Sequence, residues 1–216
     1  MKARIIISVL ALLLLNSCIV KSLFPFFTKD TIHFEKSLLG NWADSKNNEW
    51  KISSLKEKIK EENKDDKQAI ADDLGIFKDY AEGYYIENNK SHYLAVPFKI
   101  NNQLFIDFLP FSPENEFEEI PTLVSYHYVT AHSLVKVDVT NNKLSLKWLD
   151  SDKLEKLLDE KKIKIEYTQT LDFPSYLLTA SSEELQKFIK KYMASDDTDK
   201  WSTDVELDLH KIDAKH

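Results

Sequence analysis

Six histidines, one cysteine and 36 acidic side chains are the reactive groups of this 216-residue chain. His127 and His132 stand five apart. On a strand that spacing puts them on opposite faces, and on a helix about 140° apart, so neither geometry makes a chelating pair. No His-x-x-x-His or other ligand-spaced motif occurs, so the histidines read as ordinary sheet residues and no metal or other cofactor is expected. No serine lies in Gly-x-Ser-x-Gly. The only glycines, Gly40, Gly75 and Gly83, exclude the glycine-rich phosphate loops. Asp107 stands alone among apolar neighbours in Phe105-Ile106-Asp107-Phe108. Buried, it would be an acid or a ligand contact; the expectation is that it faces solvent or a hydroxyl partner. Aromatic side chains are the other resource. Trp42, Tyr93, Phe105, Phe108, Tyr126 and Trp148, with Asp107, are the candidates to line a ligand cavity or to fill a core. No catalytic set is recognisable, and a non-enzyme is expected.

Cys18 is the sole cysteine, so neither a disulfide nor a cysteine-based zinc site can form within the chain. Its meaning comes from what precedes it. Lys2 and Arg4 open the chain, and an apolar run from Ile5 to Leu15 follows, broken only by Ser8. Eleven helical residues span about 16 Å, roughly half a bilayer core, which suits a signal peptide and not a membrane span. The run ends in Leu15-Asn16-Ser17-Cys18, which resembles the lipobox of bacterial lipoproteins; Asn16 departs from the alanine, serine or threonine commoner there. The resemblance implies cleavage before Cys18 and acylation of Cys18, with palmitate or a similar chain among the lipids. It also implies a protein of the bacterial cell envelope whose partner is the membrane itself. Ile19 follows, where aspartate is the usual inner-membrane retention signal, so the resemblance implies the outer membrane. Two or three acyl chains bind a membrane durably where one does not.

The expected organisation is a signal peptide over 1–17, the lipidated cysteine and a tether over 18–37, and one β-rich domain over 38–216. In the tether, Phe24-Pro25-Phe26-Phe27 is expected to pack on the domain. The full chain carries a net charge of −7, and removing the leader takes away two basic residues and no acidic ones. Such a chain is a poor binder of nucleic acid. With 43% apolar and 12% aromatic residues, a substantial core is available.

The elements that would position these residues are mainly strands. Asn141-Asn142 marks the clearest hairpin: Val135, Val137 and Val139 alternate with polar residues before it, and Leu144, Leu146 and Trp148 after it. A two-residue loop pairs Val139 with Leu144, Val137 with Leu146 and Val135 with Trp148, all on one buried face. Lys136 then sits opposite Lys147. Asn47-Asn48 and Asn101-Asn102 mark two further turns, asparagine replacing the scarce glycine at positive φ. Strands are expected at Leu38–Trp42, Glu49–Ile52, Tyr84–Ile86, His92–Ile100, Val124–Thr130, Ile163–Tyr167, Tyr176–Thr179 and Val205–Leu209. Gln103–Leu109 is apolar on both faces and should be covered on both sides. Leu55–Asp73 is charge-dominated and reads as a solvated helix or loop. An acidic loop, Glu114–Glu119, lies among prolines. Ser151 is expected to cap a helix over Asp152–Glu160, and Ser181 with Glu184 forms a capping box for a helix reaching about Met193.

Together these give an α+β fold, mainly antiparallel β: a strongly curled sheet or a barrel with two or three helices. Gly40-Asn41-Trp42 near a strand start resembles the lipocalin signature, in which an arginine covers the tryptophan at the barrel floor. The mature chain has no arginine, and Lys211 is its only stand-in. Val135–Asp150, Leu154–Ile165 and Leu178–Tyr192 also resemble segments of bacterial exported proteins with no assigned activity. The expected function is a non-catalytic binding module for a small apolar ligand or an envelope protein. A structural or assembly lipoprotein is the alternative, and an enzyme the third reading.

Overall fold

Eight strands close on themselves. The computed structural model describes residues 19–64, 66–89, 91–111, 129–169 and 176–213. A short first strand, β1 (Lys21–Ser22), precedes the barrel. The barrel strands are β2 (Gly40–Ala43), β3 (Glu49–Ser54), β4 (Tyr84–Asn88), β5 (Ser91–Ile100), β6 (Gln103–Phe111), β7 (His132–Val139) and β8 (Lys143–Trp148). Two short strands, β9 (Tyr167–Gln169) and β10 (Tyr176–Leu178), are followed by β11 (Glu206–Ile212), which pairs with both β8 and β2. Every barrel neighbour is antiparallel, and the β6–β7 ladder completes the ring. β1, β10 and β9 extend the sheet outward from β7 as a flap. The fold is α+β and mainly antiparallel β, a closed lipocalin-like barrel.

Alternation decides which side chains enter the barrel. The β7–β8 register is the one expected from the hairpin: Val139 with Leu144, Val137 with Leu146, Val135 with Trp148. All six point inward, into one cluster with Trp42, Ile52, Tyr84, Ile86, Leu104, Ile106 and Leu209. Lys136 does face Lys147, but Lys136 pairs with Asp138 and Lys147 with Glu206 at 3.3 Å, so each like charge has its own counterion. Asn47, Asn89, Asn101 and Asn102 take positive φ, as the shortage of glycine requires.

One end of the barrel is plugged. A 3-10 turn at Lys36–Leu38 delivers Leu38 and Trp42, neither with any exposed surface. The Trp42 indole N–H donates to the Leu38 carbonyl at 2.9 Å. Lys211 lies opposite Trp42 in register, and its ammonium sits 5.1 Å from the ring centroid. Lys211 therefore does take the place the lipocalin signature gives to arginine. Gly40, at φ +123°, brings the backbone against that lysine; a Cβ there would lie 3.4 Å from Lys211 Cε. The Tyr84 hydroxyl completes the plug, donating to the Glu35 carbonyl at 3.0 Å and accepting from its N–H at 2.8 Å. Burial pushes that phenol well above its usual range.

The outer wall of β5–β7 is also apolar, which is why β6 is apolar on both faces. Val96, Phe98, Ile100, Phe105 and Leu134 pack there against two helices, α3 (Ser151–Asp159) and α4 (Ser182–Met193). Four helices occur among the described residues, more than expected. Leu55–Asp73 supplies the other two, α1 (Leu55–Glu62) and α2 (Lys67–Ile76). Leu55 and Ile59 of α1 pack on Tyr85 and Leu94, so this charged stretch is helical because it has a wall to lean on.

Several elements differ from expectation. Residues 19–37, read as a tether, are built into the fold: Val20, Ser22, Phe26 and Phe27 are buried, and Phe26 and Phe27 pack as expected. Asp150, not Ser151, caps α3, accepting from the N–H groups of Asp152 and Lys153; its carboxylate is the stronger acceptor. The strand expected over Ile163–Tyr167 begins only at Tyr167. Ile163 and Ile165 instead insert into the outer core from irregular backbone, and pairing starts only at Glu166, whose carbonyl accepts the Thr179 N–H at 2.9 Å. Residues 124–128 of the expected strand Val124–Thr130, and the acidic loop Glu114–Glu119, lie outside the described residues.

The Ser181 capping box is formed. Ser181 accepts from the Glu184 N–H at 3.4 Å, and Glu184 accepts from the Ser181 N–H at 3.1 Å. Ser181→Ala should therefore lower the unfolding free energy by about 1 kcal/mol in urea titration, with an unchanged m-value.

Candidate functional site

The aromatic candidates separate into two groups. Tyr93, Phe108 and Trp148 point into the barrel and form a ladder that starts from Trp50, the cross-strand partner of Trp42. Trp50 stacks on Tyr93 at 6.2 Å, Tyr93 meets Phe108 at 4.6 Å, and Phe108 meets Trp148 edge-on at 5.4 Å. The Trp148 indole N–H donates to Ser133 Oγ at 3.2 Å. Trp42 occupies the plug. Phe105 and Asp107 are one strand position away and point the other way, onto the outer wall. Tyr126 and Cys18 lie outside the described residues.

The barrel fills itself. Tyr84, Ile86, Ala95, Ile106, Val135, Val137, Leu144 and Leu146 are each at most 3% exposed, so the lumen at their level holds side chains and no open space. An eight-stranded barrel is just wide enough for that. Two concavities are open, one at an end of the barrel and one on its outer wall. The first, of about 720 Å³, lies beside the Thr140–Lys143 turn, where the inward-facing Leu104, Val137, Val139, Leu144 and Leu209 meet Lys99, Gln103 and His210. The other, of about 1020 Å³, runs between α3, residues 162–166 and α4. Its floor is Leu157, Ile163, Ile165 and Phe188; its rim alternates Lys153, Lys156, Lys187 and Lys191 with Glu160 and Glu184. On that rim, a hydrogen bond from Lys162 to Glu160 holds the Glu160 carboxyl below its usual range, and the same contact raises Lys162.

Asp107 is buried, contrary to the expectation that it faces solvent or a hydroxyl. Its Oδ1 accepts the backbone N–H of Phe26 at 2.9 Å, and its Oδ2 lies 2.7 Å from Nδ1 of His132. Strand geometry brings the pair together: Asp107 faces Leu134 in register, so His132 is its diagonal neighbour on the same face. The Tyr80 ring lies parallel to the imidazole, with centroids 6.5 Å apart. Burial, then the nearby Asp107 carboxyl, raises the Tyr80 hydroxyl. Sequence reasoning missed this pair because its members are 25 residues apart and only the β6–β7 ladder unites them. The available signal was the lone carboxylate in an apolar strand.

Ser22 faces His132 from β1, so a serine, a histidine and an aspartate share one face. Ser22 Oγ, however, contacts the Leu178 carbonyl at 3.4 Å and accepts the Phe24 N–H at 3.2 Å. Its hydroxyl is committed to backbone, and the pair serves as a clasp that binds residues 22–27 to the barrel. Two Ser-x-x-Lys spacings also occur, at Ser53 and Ser133. Their lysines are engaged elsewhere, Lys56 with Glu82 and Lys136 with Asp138. Among the described residues no group of three or more metal-binding side chains converges, and no helix is long and apolar enough to cross a membrane.

Comparison with protein-family models, with curated proteins and with solved structures finds no match to this chain.

Proposed function

We propose that the protein is a lipid-anchored lipoprotein of the bacterial envelope, a non-catalytic binding module that engages a protein partner through its outer wall. The observation that carries the binding mode is the contrast between lumen and wall. The middle of the lumen is occupied by the protein's own side chains, so its concavity is confined to one end, while the larger cleft between α3 and α4 offers an apolar floor inside a rim of both charge signs. A mixed rim around an apolar centre is the usual anatomy of a protein-binding patch. The lipobox supports the anchor, and a cut before Cys18 would spare every contact described above. A lumenal carrier of a small apolar molecule is the second reading, favoured by the aromatic ladder inside the barrel and the concavity at its end.

Two measurements test this. Cys18→Ala should move the protein from the membrane to the soluble fraction of cells; unchanged fractionation overturns the anchor. A photo-crosslinking residue at Lys187, on the cleft rim, should give a protein adduct in cells, and one at Lys60 on α1 should not. A co-purified lipid in native mass spectrometry, with no adduct from Lys187, replaces this reading with the carrier.

A further inference from the structure

We infer that the barrel rests on its own bilayer in one fixed orientation, held by the acylated Cys18 at one end of β1 and by Leu23 and Phe24 at the other. The inference rests on the lipid-anchor reading above, and commits to the bilayer as the occupant of this face.

The first support is the lack of slack. Ile19 bridges Asp150, and the N–H of buried Val20 donates to the Leu149 carbonyl at 3.0 Å. Cys18 is one peptide bond from Ile19, so its Cα lies about 3.8 Å from a residue fixed to the barrel. Acyl chains on Cys18 therefore leave directly from the protein wall, and the bilayer surface must lie against it. The tether expected from sequence would have let the domain tumble.

The second support is the fate of the apolar run that follows. Phe26 and Phe27 are buried, but Leu23 is 38% and Phe24 48% exposed. Their backbone is nonetheless held: the Leu23 N–H donates to the Leu178 carbonyl at 3.0 Å and the Phe24 N–H to Ser22 Oγ. Apolar side chains presented on an ordered backbone can enter the interface without the entropy cost of ordering a loop. From Cys18 to Leu23 is about 17 Å of extended chain, so both ends of β1 reach one membrane surface when the strand lies flat on it.

The third support is what surrounds them. Ser22 pairs with His132 on one side and Leu178 on the other, and Leu178 pairs with Tyr167. Leu23 and Phe24 thus emerge at the same end of the flap as Val129, which leads into β7, and Tyr167 of β9. These are four of the five large apolar side chains exposed among the described residues. The chain is acidic, so attraction to anionic lipid is not the source of this contact. β7 runs antiparallel to β1, so the orientation lays that flank of the barrel along the bilayer, with the Trp148 end beside β1 and the Asn142 turn at the far end of the β7–β8 hairpin.

Acylation consumes the only native cysteine, so introduced cysteines are clean reporters. Leu23→Cys, Thr130→Cys and Asn142→Cys are each made in the full chain, processed in bacterial cells and checked for acylation by intact mass. They are then labelled with an environment-sensitive fluorophore and placed in vesicles of brominated phosphatidylcholine. Quenching and a blue shift are expected at positions 23 and 130 and not at 142. Equal signals at all three positions, or quenching at 142 alone, overturn the orientation while leaving the anchor intact. A mass without acyl groups overturns the anchor itself. In the Thr130→Cys background, Leu23→Ser with Phe24→Ser should abolish the quenching with acylation unchanged. Retained quenching removes these two side chains from the contact.

Discussion

Asp107→Ala is expected to destabilise the fold by about 2–5 kcal/mol, because two buried hydrogen bonds lose their acceptor. Two groups lose their acceptor at once. The Phe26 N–H, at 2.9 Å from Oδ1, and His132 Nδ1, at 2.7 Å from Oδ2, are both enclosed, and neither makes another hydrogen bond among the described residues. Each buried donor left unsatisfied costs about 1–3 kcal/mol. The loss also loosens residues 22–27 from the barrel, so protease resistance should fall there first. Asp107→Asn keeps an acceptor for the Phe26 N–H and should lose clearly less. Urea unfolding of the two variants and the native protein checks this: an alanine form as stable as the native one would show that the clasp contributes nothing.

Trp42→Ala should cost about 3–5 kcal/mol, the usual range for deleting a fully enclosed indole from a core. Trp42 has no exposed surface, bonds the Leu38 carbonyl and carries Lys211 over its ring. The truncation opens a void, leaves that carbonyl without its donor and leaves an ammonium beside the void. Trp42→Phe retains an aromatic face and should lose less. The lysine contact is isolated by a double-mutant cycle with Lys211→Met, for which a coupling of about 0.5–2 kcal/mol is expected from thermal unfolding. A coupling of zero would mean that the lysine merely passes over the ring.

What could be read in advance depended on how local the physics was. The β7–β8 register followed from Val135–Val139 and Leu144–Trp148 because alternation and a short turn fix it within fourteen residues. The turns followed from asparagine pairs because so few glycines were available. The capping box of α4 is a four-residue device and was equally visible. The partner of Asp107 was not visible, since it depends on a ladder formed across 25 residues. Nor was the ordering of residues 19–37, whose burial is decided by an outer wall drawn from β5, β6, β7 and α4. Ile163 and Ile165 alternated like a strand, but alternation reports which side is buried and not whether a neighbour is free to pair. The candidate list named the right aromatics, while the division between lumen and wall required the curl of the sheet.

The position of β11 has a consequence for how the molecule comes into being. β2 and β8 lie far apart in sequence and are joined edge to edge only through the last strand. Until that strand has been made, a nascent chain carries two open ladders, each able to recruit a foreign strand. Ring closure thus waits for β11, long after β2 has been made, which puts a premium on protecting the two edges in the interval.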